Sequence, residues 1–268
     1  NNRGIRAASG KYIALLNNDA RADSRWLEEL VKAAEENPRA GMLACKIYLE
    51  GGRKVIDNVG HLMYRDGLNR GRGRLETDRG QYAEVEEVFF PSGCAALYRR
   101  EMLDEVGLFD EEFFAYGDDT DLGLKGRLAG WNCLYVPTAV VHHRYSQSSG
   151  AYSPLKAFYV ERNRVWIAVK YFPTLLLLVS PFYTFLRFAL QGYGALAGRG
   201  AAGRFREAHS PGKLLRVLLQ SYRAALRGLP GMWRKRREIR RRTRVSEEEI
   251  RSWLRRFGMS AREIAWKD

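Results

Sequence analysis

Apolar runs of strand length alternate with helical patterns along the first half of the chain, and this alternation limits the fold more than any other feature. Residues 11–19 form a run typical of a buried strand that ends in polar residues, and a helix pattern follows as far as Pro38. Further strands are predicted at residues 42–49 and 132–141. Strands alternating with helices predict an α/β fold, with a mostly parallel sheet flanked by helices.

Shorter elements are predicted between these strands. Residues 51–79 are rich in Gly, Arg, Asp and Asn, which is typical of hairpins and loops. One or two strands are expected over residues 84–98, and a short helix over residues 99–106 ends at Gly107. A further helix is predicted over residues 119–129.

Beyond residue 153 the pattern is helical throughout. Residues 174–197 exceed the roughly 18 apolar residues that flag a membrane-spanning helix. Pro181 and Arg187 near the middle of this segment favour a buried or surface-lying helix over a spanning one. The other predicted helices cover residues 155–171, 213–227, 234–244 and 246–257.

Basic residues are concentrated at the carboxyl end. The 268-residue chain has 45 Lys and Arg against 31 Asp and Glu, and residues 199–268 hold 20 and 7 of these, which leaves 25 and 24 for residues 1–198. The tail therefore carries a balance of +13 out of +14, which indicates an anionic surface as its partner. We divide the chain into an α/β domain at 1–152, an apolar helical segment at 153–198 and a basic helical tail at 199–268.

Two kinds of partner compete for the basic tail. Its arginine clusters at residues 234–237 and 240–244 are typical of a nucleic-acid arm. The tail also follows an apolar segment with aromatic residues, and basic stretches beside such segments bind anionic lipid on the cytoplasmic side. We therefore expect a protein that is peripheral or weakly integral at the cytoplasmic face of a membrane, and we do not expect nucleic acid as its partner.

Asn17, Asn18 and Asp19 end the first predicted strand. Ligands of parallel α/β sheets bind beyond the carboxyl ends of the strands, so these residues stand where chemistry is expected. A carboxylate flanked by amide oxygens suits a hard divalent cation that completes its shell with phosphates and water. A turn or a helix entry accounts for the same residues, because Asn and Asp at strand ends often serve the backbone.

Three carboxylates fall within four positions at Asp118, Asp119 and Asp121. Acidic residues are favourable at a helix amino terminus, which explains one or two of them. Carboxylates this close repel, so a cation must compensate, or one carboxylate has a raised pKa suited to a general base. His142 and His143 end the last predicted strand, where only one of them can face a given site, as a metal ligand or as a structural residue.

A series of short motifs surrounds these residues. In chain order they are Asn2-x-Gly4, Leu15-Leu-Asn-Asn-Asp19, Gly93-Cys-Ala-Ala96, Val106-Gly-Leu-Phe-Asp110, Tyr116-Gly-Asp-Asp-Thr-Asp-Leu122 and Gly130-Trp131. Over residues 1 to about 170 their order resembles the family 2 glycosyltransferases, in particular the branch with rhamnosyl- and galactofuranosyl-transferases of bacterial polysaccharide assembly. The resemblance implies a GT-A fold, a nucleotide-diphospho-sugar donor, a divalent metal (Mg²⁺ or Mn²⁺) and inversion at the anomeric carbon.

The resemblance also implies roles for single residues. Asp19 stands at the family's DxD position as the metal ligand, with Asn17 in place of the first Asp. His143 stands where related enzymes carry a metal-binding histidine. Asp118 and Asp119 match the family's acidic pair, whose second member is the base that takes the proton of the acceptor hydroxyl.

The remaining implied site residues bind the donor or support the site. On the donor side they are Asn2, Gly4, Asn17 and Asn18, and on the acceptor and supporting side they are Gly93, Cys94, Asp121 and Arg127. The family normally begins with a strand and loop that bind the nucleobase and ribose, and this sequence has no residues for them. We therefore expect a truncated GT-A domain that lacks its first nucleotide-binding strands and continues into a helical extension.

The motifs and the charge together predict a membrane-associated, inverting glycosyltransferase. Its acceptor is expected to be lipid-linked or a polysaccharide of the cell envelope. The alternative is an inactive, truncated glycosyltransferase-like domain that acts as a membrane or nucleic-acid adaptor through its basic tail.

Overall fold

Seven strands form one mixed sheet in the computed structural model, which describes residues 1–51, 54–144, 153–196 and 210–266. The strands are β1 (Tyr12–Leu16), β2 (Ala20–Ala22), β3 (Ala40–Leu49), β4 (Ile56–Asn58), β7 (Glu86–Val88), β8 (Ala95–Arg99) and β9 (Asn132–His143), and a separate hairpin consists of β5 (His61–Met63) and β6 (Asn69–Gly71). The order across the sheet is β1-β8-β3-β9-β2, with β4 added to β3 and β7 to β9.

The expectation of a mostly parallel sheet is wrong. Within the described residues β3 and β9 are the one parallel pair, and every other neighbouring pair is antiparallel. A parallel neighbour requires a crossover connection, usually a helix. The chain between β3 and β8 instead turns back through the short strands β4 to β7, so that β8 enters the sheet antiparallel between β1 and β3.

Nine helices are present in the described residues. They are α1 (Asn2–Ala7), α2 (Trp26–Glu36), α3 (Arg100–Val106), α4 (Asp118–Leu128), α5 (Pro154–Tyr171), α6 (Thr174–Leu196), α7 (Pro211–Arg242), α8 (Glu247–Arg256) and α9 (Ala261–Trp266). The helices predicted at 213–227 and 234–244 are one continuous helix, α7, which runs through Pro230. The sequence patterns did not predict α1 or α9.

Both faces of the sheet are buried. Side chains along a strand point alternately to the two faces, and each face packs against helices. Leu43, Cys45 and Ile47 pack with the helix α2 on one face. Met42 and Ala44 point the other way and pack with residues of α3 and α4. Helices therefore cover both faces of the sheet at its central strand β3, and we call the sheet with these helices the α/β layer.

The carboxyl-terminal helices pack on this layer through α5. Trp166 of α5 contacts Ala225 and Met232 of α7 in one hydrophobic cluster, which Trp253 of α8 joins. The helix α9 packs against α6. The predicted boundaries at residues 152 and 198 fall in the stretches 145–152 and 197–209, outside the described residues, and the three-part division stays a prediction.

One described helix is long and apolar enough to cross a membrane, over Thr174–Gly194, with a mean hydropathy of 1.4. This helix, α6, is attached to the α/β layer by a buried ion network. Arg187 donates to Asp66 at 2.8 Å and to both carboxylate oxygens of Glu161 at 2.8 and 2.9 Å. Arg164 of α5 donates to Glu161 at 2.6 Å and completes the network.

Loss of the Arg187 guanidinium should destabilise the protein strongly. Arg187→Met leaves two buried carboxylates short of a partner, and breaking such a pair costs about 3–5 kcal/mol. We expect this loss in the free energy of urea unfolding. The matched control is Arg65→Met, which removes an exposed guanidinium bonded to Tyr183 and should cost less than about 1 kcal/mol. Equal losses in the two variants would show that the network contributes no more than a surface contact.

Candidate functional site

A cavity of about 470 Å³ lies beyond the end of β1, between the start of α4 and the end of β9. It brings together half of the twelve site residues predicted from the sequence. Those that line it are Asn17, Gly93, Cys94, Asp118, Asp119 and His143. Asn18 and Asp19 line a neighbouring cavity of about 300 Å³.

Strand pairing places Asp19 beside His143. The turn after β1 leads into β2, where Ala20 lies opposite His143 of β9. Asp19 Oδ1 is consequently 3.4 Å from His143 Nε2, although 124 positions separate the two residues in the sequence. His142 faces the other way, with its Nε2 at 3.4 Å from Asp23, so one histidine of the pair faces the cavity as the alternation of a strand requires.

Asp57 orients the ring of His143. Its Oδ2 lies 2.7 Å from His143 Nδ1, and Arg74 pairs with its other oxygen. A carboxylate on Nδ1 fixes the proton there and leaves Nε2 as a lone-pair donor toward Asp19. Metal-ligating histidines commonly have such a carboxylate behind them.

The pair Asp19 and His143 fits a divalent cation that is shared with a substrate. Asp19 Oδ1 is buried and accepts no hydrogen bond in the described part of the chain, so it has coordination capacity to spare. Among the described residues no group of three or more His, Cys, Asp and Glu side chains is placed to hold a metal. The protein therefore offers an oxygen and a nitrogen ligand, and the remaining ligands would come from phosphates and water.

Asp119 is held rigidly at the wall of the cavity. Its Oδ2 accepts from the backbone N–H of Gly93 at 2.9 Å, and its Oδ1 accepts from the N–H of Thr120 at 2.7 Å. A Cβ atom on Gly93 would lie 3.3 Å from Asp119 Cβ, so a side chain at this position would crowd the carboxylate. Among the described residues Oδ2 accepts the one hydrogen bond from Gly93, and Asp119 lines the cavity.

Asp118 has a raised pKa. Burial and the neighbouring charge of Asp119 raise the pKa of its carboxyl from 3.8 to about 7. Two carboxylates side by side cannot both ionise easily, so one of them keeps its proton near neutral pH. The carboxyl of the acidic cluster with a raised pKa is thus that of Asp118, whereas the resemblance assigns the base to Asp119.

The turn before α4 is strained, and a buried amide holds it in place. Phe114 and Tyr116 have φ angles of 64° and 61°, which non-glycine residues rarely adopt, and Gly117 follows at 96°. The Asn163 Nδ2 atom of α5 lies within 2.6–3.0 Å of the carbonyl oxygens of Phe113, Ala115 and Tyr116. This contact fixes the backbone that presents the two acidic residues.

Asp121 and Arg127 lie in the interior behind the cavity. Asp121 accepts from Lys170 and, at 2.6 Å, from the hydroxyl of Tyr171, which ties α4 to α5. Arg127 donates to the carbonyl oxygens of Val88 and Phe89 and to Glu87. Both contacts position α4 relative to its neighbours, and the supporting role in the site that the resemblance implies for these residues stays a prediction.

The implied donor residues of the first helix occupy different positions. The side-chain amide of Asn2 donates to Phe109 O at 2.9 Å and accepts from Phe109 N–H at 3.0 Å. It therefore braces the segment that leads to Asp118, and its donor role stays a prediction. Gly4 has open space around it. Cys94 is buried, and burial raises the pKa of its thiol, which keeps it protonated.

Sequence reasoning missed three residues that line the cavity: Asp57, His61 and Asn163. Asp57 and His61 lie in the stretch that was predicted only as hairpin and loop. The one sequence signal for Asp57 was its position as an acidic residue directly after the apolar pair Val55-Ile56. His61 is buried, burial lowers the pKa of its ring, and its Nδ1 makes no hydrogen bond within the described residues.

Comparison with known proteins agrees with this geometry. The profile of the family described as "Glycosyltransferase like family 2" matches residues 1–167. The chain belongs to this family. The crystal structure of GalNAc-T7 with UDP, GalNAc and Mn²⁺ superposes with a TM-score of 0.51 at 17% identity, over 71% of this chain and 36% of that chain. At this identity the likeness shows the fold alone, which is GT-A.

Two curated relatives of this family 2 glycosyltransferase are named for O-antigen biosynthesis and for rhamnosyl transfer. The O-antigen biosynthesis protein RfbC of Myxococcus xanthus is 28% identical over 53% of this chain and 12% of its own length. The N-acetylglucosaminyl-diphospho-decaprenol L-rhamnosyltransferase of Mycobacterium tuberculosis is 31% identical over 52% of this chain and 48% of its own length. The matches thus span less than half the length of either relative.

Asp57 should control the metal affinity of this glycosyltransferase domain without touching the metal. Asp57→Asn removes the negative charge behind His143 Nδ1, and loss of such a partner typically weakens metal binding about 10- to 100-fold. Titration of the protein with Mn²⁺ by calorimetry measures this change. Asp23→Asn is the matched control, because Asp23 contacts His142 instead, and its Mn²⁺ affinity should be unchanged. Equal affinities of both variants and wild type would contradict the orienting role.

The raised pKa of Asp118 should make stability depend on pH. A folded-state pKa of about 7 against 3.8 means that the folded protein binds more protons between these values. The free energy of unfolding therefore falls as pH rises from 3.8 to about 7, and the penalty persists above it. Asp118→Asn should remove this loss and raise the melting temperature at pH 8 but not at pH 4, in protein freed of metal by a chelator.

The exposed Asp104 gives the control for this measurement. Asp104→Asn should leave the pH dependence of the melting temperature as it is in the wild type. A variant Asp118→Asn with an unaltered pH dependence would place the perturbed carboxyl elsewhere.

Proposed function

We propose that this protein transfers a sugar, with inversion, from a nucleotide-diphospho-sugar to a lipid-linked or polysaccharide acceptor in cell-envelope glycan synthesis. Membership of the family supports sugar transfer, and the names of the two curated relatives support an envelope glycan and a hexosyl or rhamnosyl donor. The observation that carries the proposal is a cavity lined by a pair of carboxylates and by a histidine that lies between two further carboxylates. Asp118 and Asp119 lie on one wall, and His143, bridged to Asp19 and Asp57, lies on another.

Asp119 is the proposed base. A sugar hydroxyl is a weak nucleophile, so a carboxylate within reach must take its proton while the hydroxyl attacks the anomeric carbon. The hydrogen bond from Gly93 to Asp119 Oδ2 fixes the direction of the carboxylate toward the cavity. The raised pKa of Asp118, about 7, keeps its carboxyl partly protonated at neutral pH and so limits the repulsion that a second charge would impose on the base.

Asp19 and His143 are the proposed ligands of Mg²⁺ or Mn²⁺. A bound cation of this kind supplies Lewis-acid stabilisation of the charge that develops on the leaving diphosphate. Asp57 keeps the His143 lone pair directed at Asp19, so the two ligands are preorganised. Arg70 and Lys156 also line the cavity and bring positive charge to the place where a diphosphate would lie.

The competing proposal is an inactive domain that serves as an adaptor. It does not account for the strained turn at Phe114 and Tyr116, which Asn163 holds against the cavity at an energetic cost of about 1–3 kcal/mol for each strained residue. Strain of this kind persists where function requires a fixed geometry. Hydrolysis or transfer of a nucleotide-diphospho-sugar with Mg²⁺ or Mn²⁺ separates the two proposals.

Asp119→Asn should abolish most transfer and retain donor binding. Removing a general base typically lowers kcat about 10²- to 10⁴-fold, while the donor contacts of Asp19 and His143 remain. Single-turnover kinetics and calorimetric titration with donor measure the two quantities separately. Near wild-type turnover would refute the assignment, and a loss confined to Asp118→Asn would move the base to Asp118. Glu112→Gln, on the exposed surface before α4, is the control with unchanged kcat.

A further inference from the structure

The outward face of α6 is apolar along the helix. Its most exposed large side chains are spaced three, four, three, eight and three residues apart, which places them on one side of the helix. They are between 61% and 79% exposed and consist of Leu175, Leu178, Phe182, Phe185, Tyr193 and Leu196. We call this set the α6 stripe. Contiguous exposed apolar surface of this kind marks an interaction site, because monomeric soluble proteins rarely expose large apolar patches.

The opposite side of α6 carries side chains that are bonded to the rest of the protein, and separating them from it would cost much free energy. Arg187 is 1% exposed and bonded to Asp66 and Glu161, and Ser180 and Thr184 also face inward. A spanning arrangement would take Asp66 and Glu161 into hydrocarbon with the arginine, or would break the network and leave charges without partners. The length of α6 fits a spanning helix, but its attachment to the α/β layer does not.

A second exposed stripe lies on α7. Leu215, Leu219, Leu226 and Trp233 are spaced four, seven and seven residues apart and therefore share one side of the helix. Exposed arginines form a row beside this stripe, at Arg216, Arg223, Arg227 and Arg234. An apolar stripe edged by arginines is typical of a helix that lies in the plane of an anionic membrane surface.

The two helices are joined below their stripes by one side chain. Arg164 of α5 donates to the hydroxyl of Thr184 on α6 at 3.2 Å and to the hydroxyl of Tyr222 on α7. Both helices are thereby attached to the same part of the α/β layer. The same helix α5 also contacts the turn at the wall of the cavity, through Asn163. A surface that contacts both stripes would therefore hold the cavity at a fixed distance from that surface.

We propose that α6 lies flat on an anionic lipid bilayer, with the α6 stripe in the interface and the arginine row of α7 against lipid phosphates. A second copy of the chain fits this surface less well. The commonest dimer interfaces bring the same patch of both subunits together, and the arginine row would then face its own equivalent. Lipid phosphate is the complementary charge. This surface does not depend on which reaction the cavity catalyses.

Vesicle binding without donor tests the proposal independently of activity. The full chain is floated with vesicles of phosphatidylcholine, with and without phosphatidylglycerol. Phe182→Glu combined with Phe185→Glu should weaken binding roughly tenfold or more, because it places charge in the interface. Replacing Arg223 and Arg227 by Gln should weaken binding about fivefold for each charge, and only with phosphatidylglycerol.

Leu27→Glu is the control for the first variant, since Leu27 is 48% exposed on the distant helix α2 and should bind vesicles as wild type does. Circular dichroism checks that each variant is folded. Binding that survives the α6 substitutions would overturn the proposal. So would a dimer in lipid-free solution that these substitutions dissociate without affecting vesicle binding.

Cysteine labelling separates a flat helix from a spanning one. Thr174→Cys and Gly192→Cys place thiols at the two exposed ends of α6, whereas the native Cys45, Cys94 and Cys133 are buried. Inverted membrane vesicles from cells that express the full chain are treated with a membrane-impermeant maleimide. A flat helix exposes both ends to the reagent. Labelling of one end only after detergent would establish that α6 crosses the membrane and overturn the proposal.

Discussion

The pairing of buried charges along one helix, α5, holds the rest of the structure together. Glu161, which also accepts from Arg164, binds Arg187 and thereby attaches α6, while Lys170 binds Asp121 and attaches α4. Charges removed from water need partners of good geometry, so each of these side chains fixes the element that supplies its partner. Asn163, between them, fixes the turn that leads to the acidic pair. The orientation of the cavity wall and that of the apolar surface therefore depend on one rigid element.

The cavity is built by strand pairing in the same way. The short strand β2 pairs antiparallel with β9 and brings Asp19 to His143, and the segment just before β8 brings Gly93 to Asp119. Neither contact is local in sequence. Both contacts depend on backbone groups that hold a side chain in place, and Asp19 Oδ1 accepts no hydrogen bond among the described residues. Preorganisation of this kind gives a catalytic site its advantage over the same groups in water.

The basic charge of the carboxyl-terminal helices has two uses in the folded protein. Part of it serves internal contacts: Lys235 pairs with Asp110, and Arg236 donates to the carbonyl oxygens of Val169 and Phe172. The rest lies on the outer side of α7, beside its leucines. The net charge of the tail therefore overstates its capacity to bind a partner, because Lys235 and Arg236 are engaged in internal contacts.

The sequence by itself determined the family, the alternation of strands and helices, and three of the residues that line the cavity, Asp118, Asp119 and His143. These depend on local spacing, which one-dimensional patterns report directly. The tertiary structure determined the strand directions and long-range contacts, which local spacing does not report. The antiparallel entry of β8 overturned the parallel sheet, Asp57 came from a predicted loop to stand behind His143, and Arg187, a break in an apolar run, became the residue that attaches α6. Each depends on contacts between residues far apart in the chain, and only folding brings such residues within a few ångströms of each other.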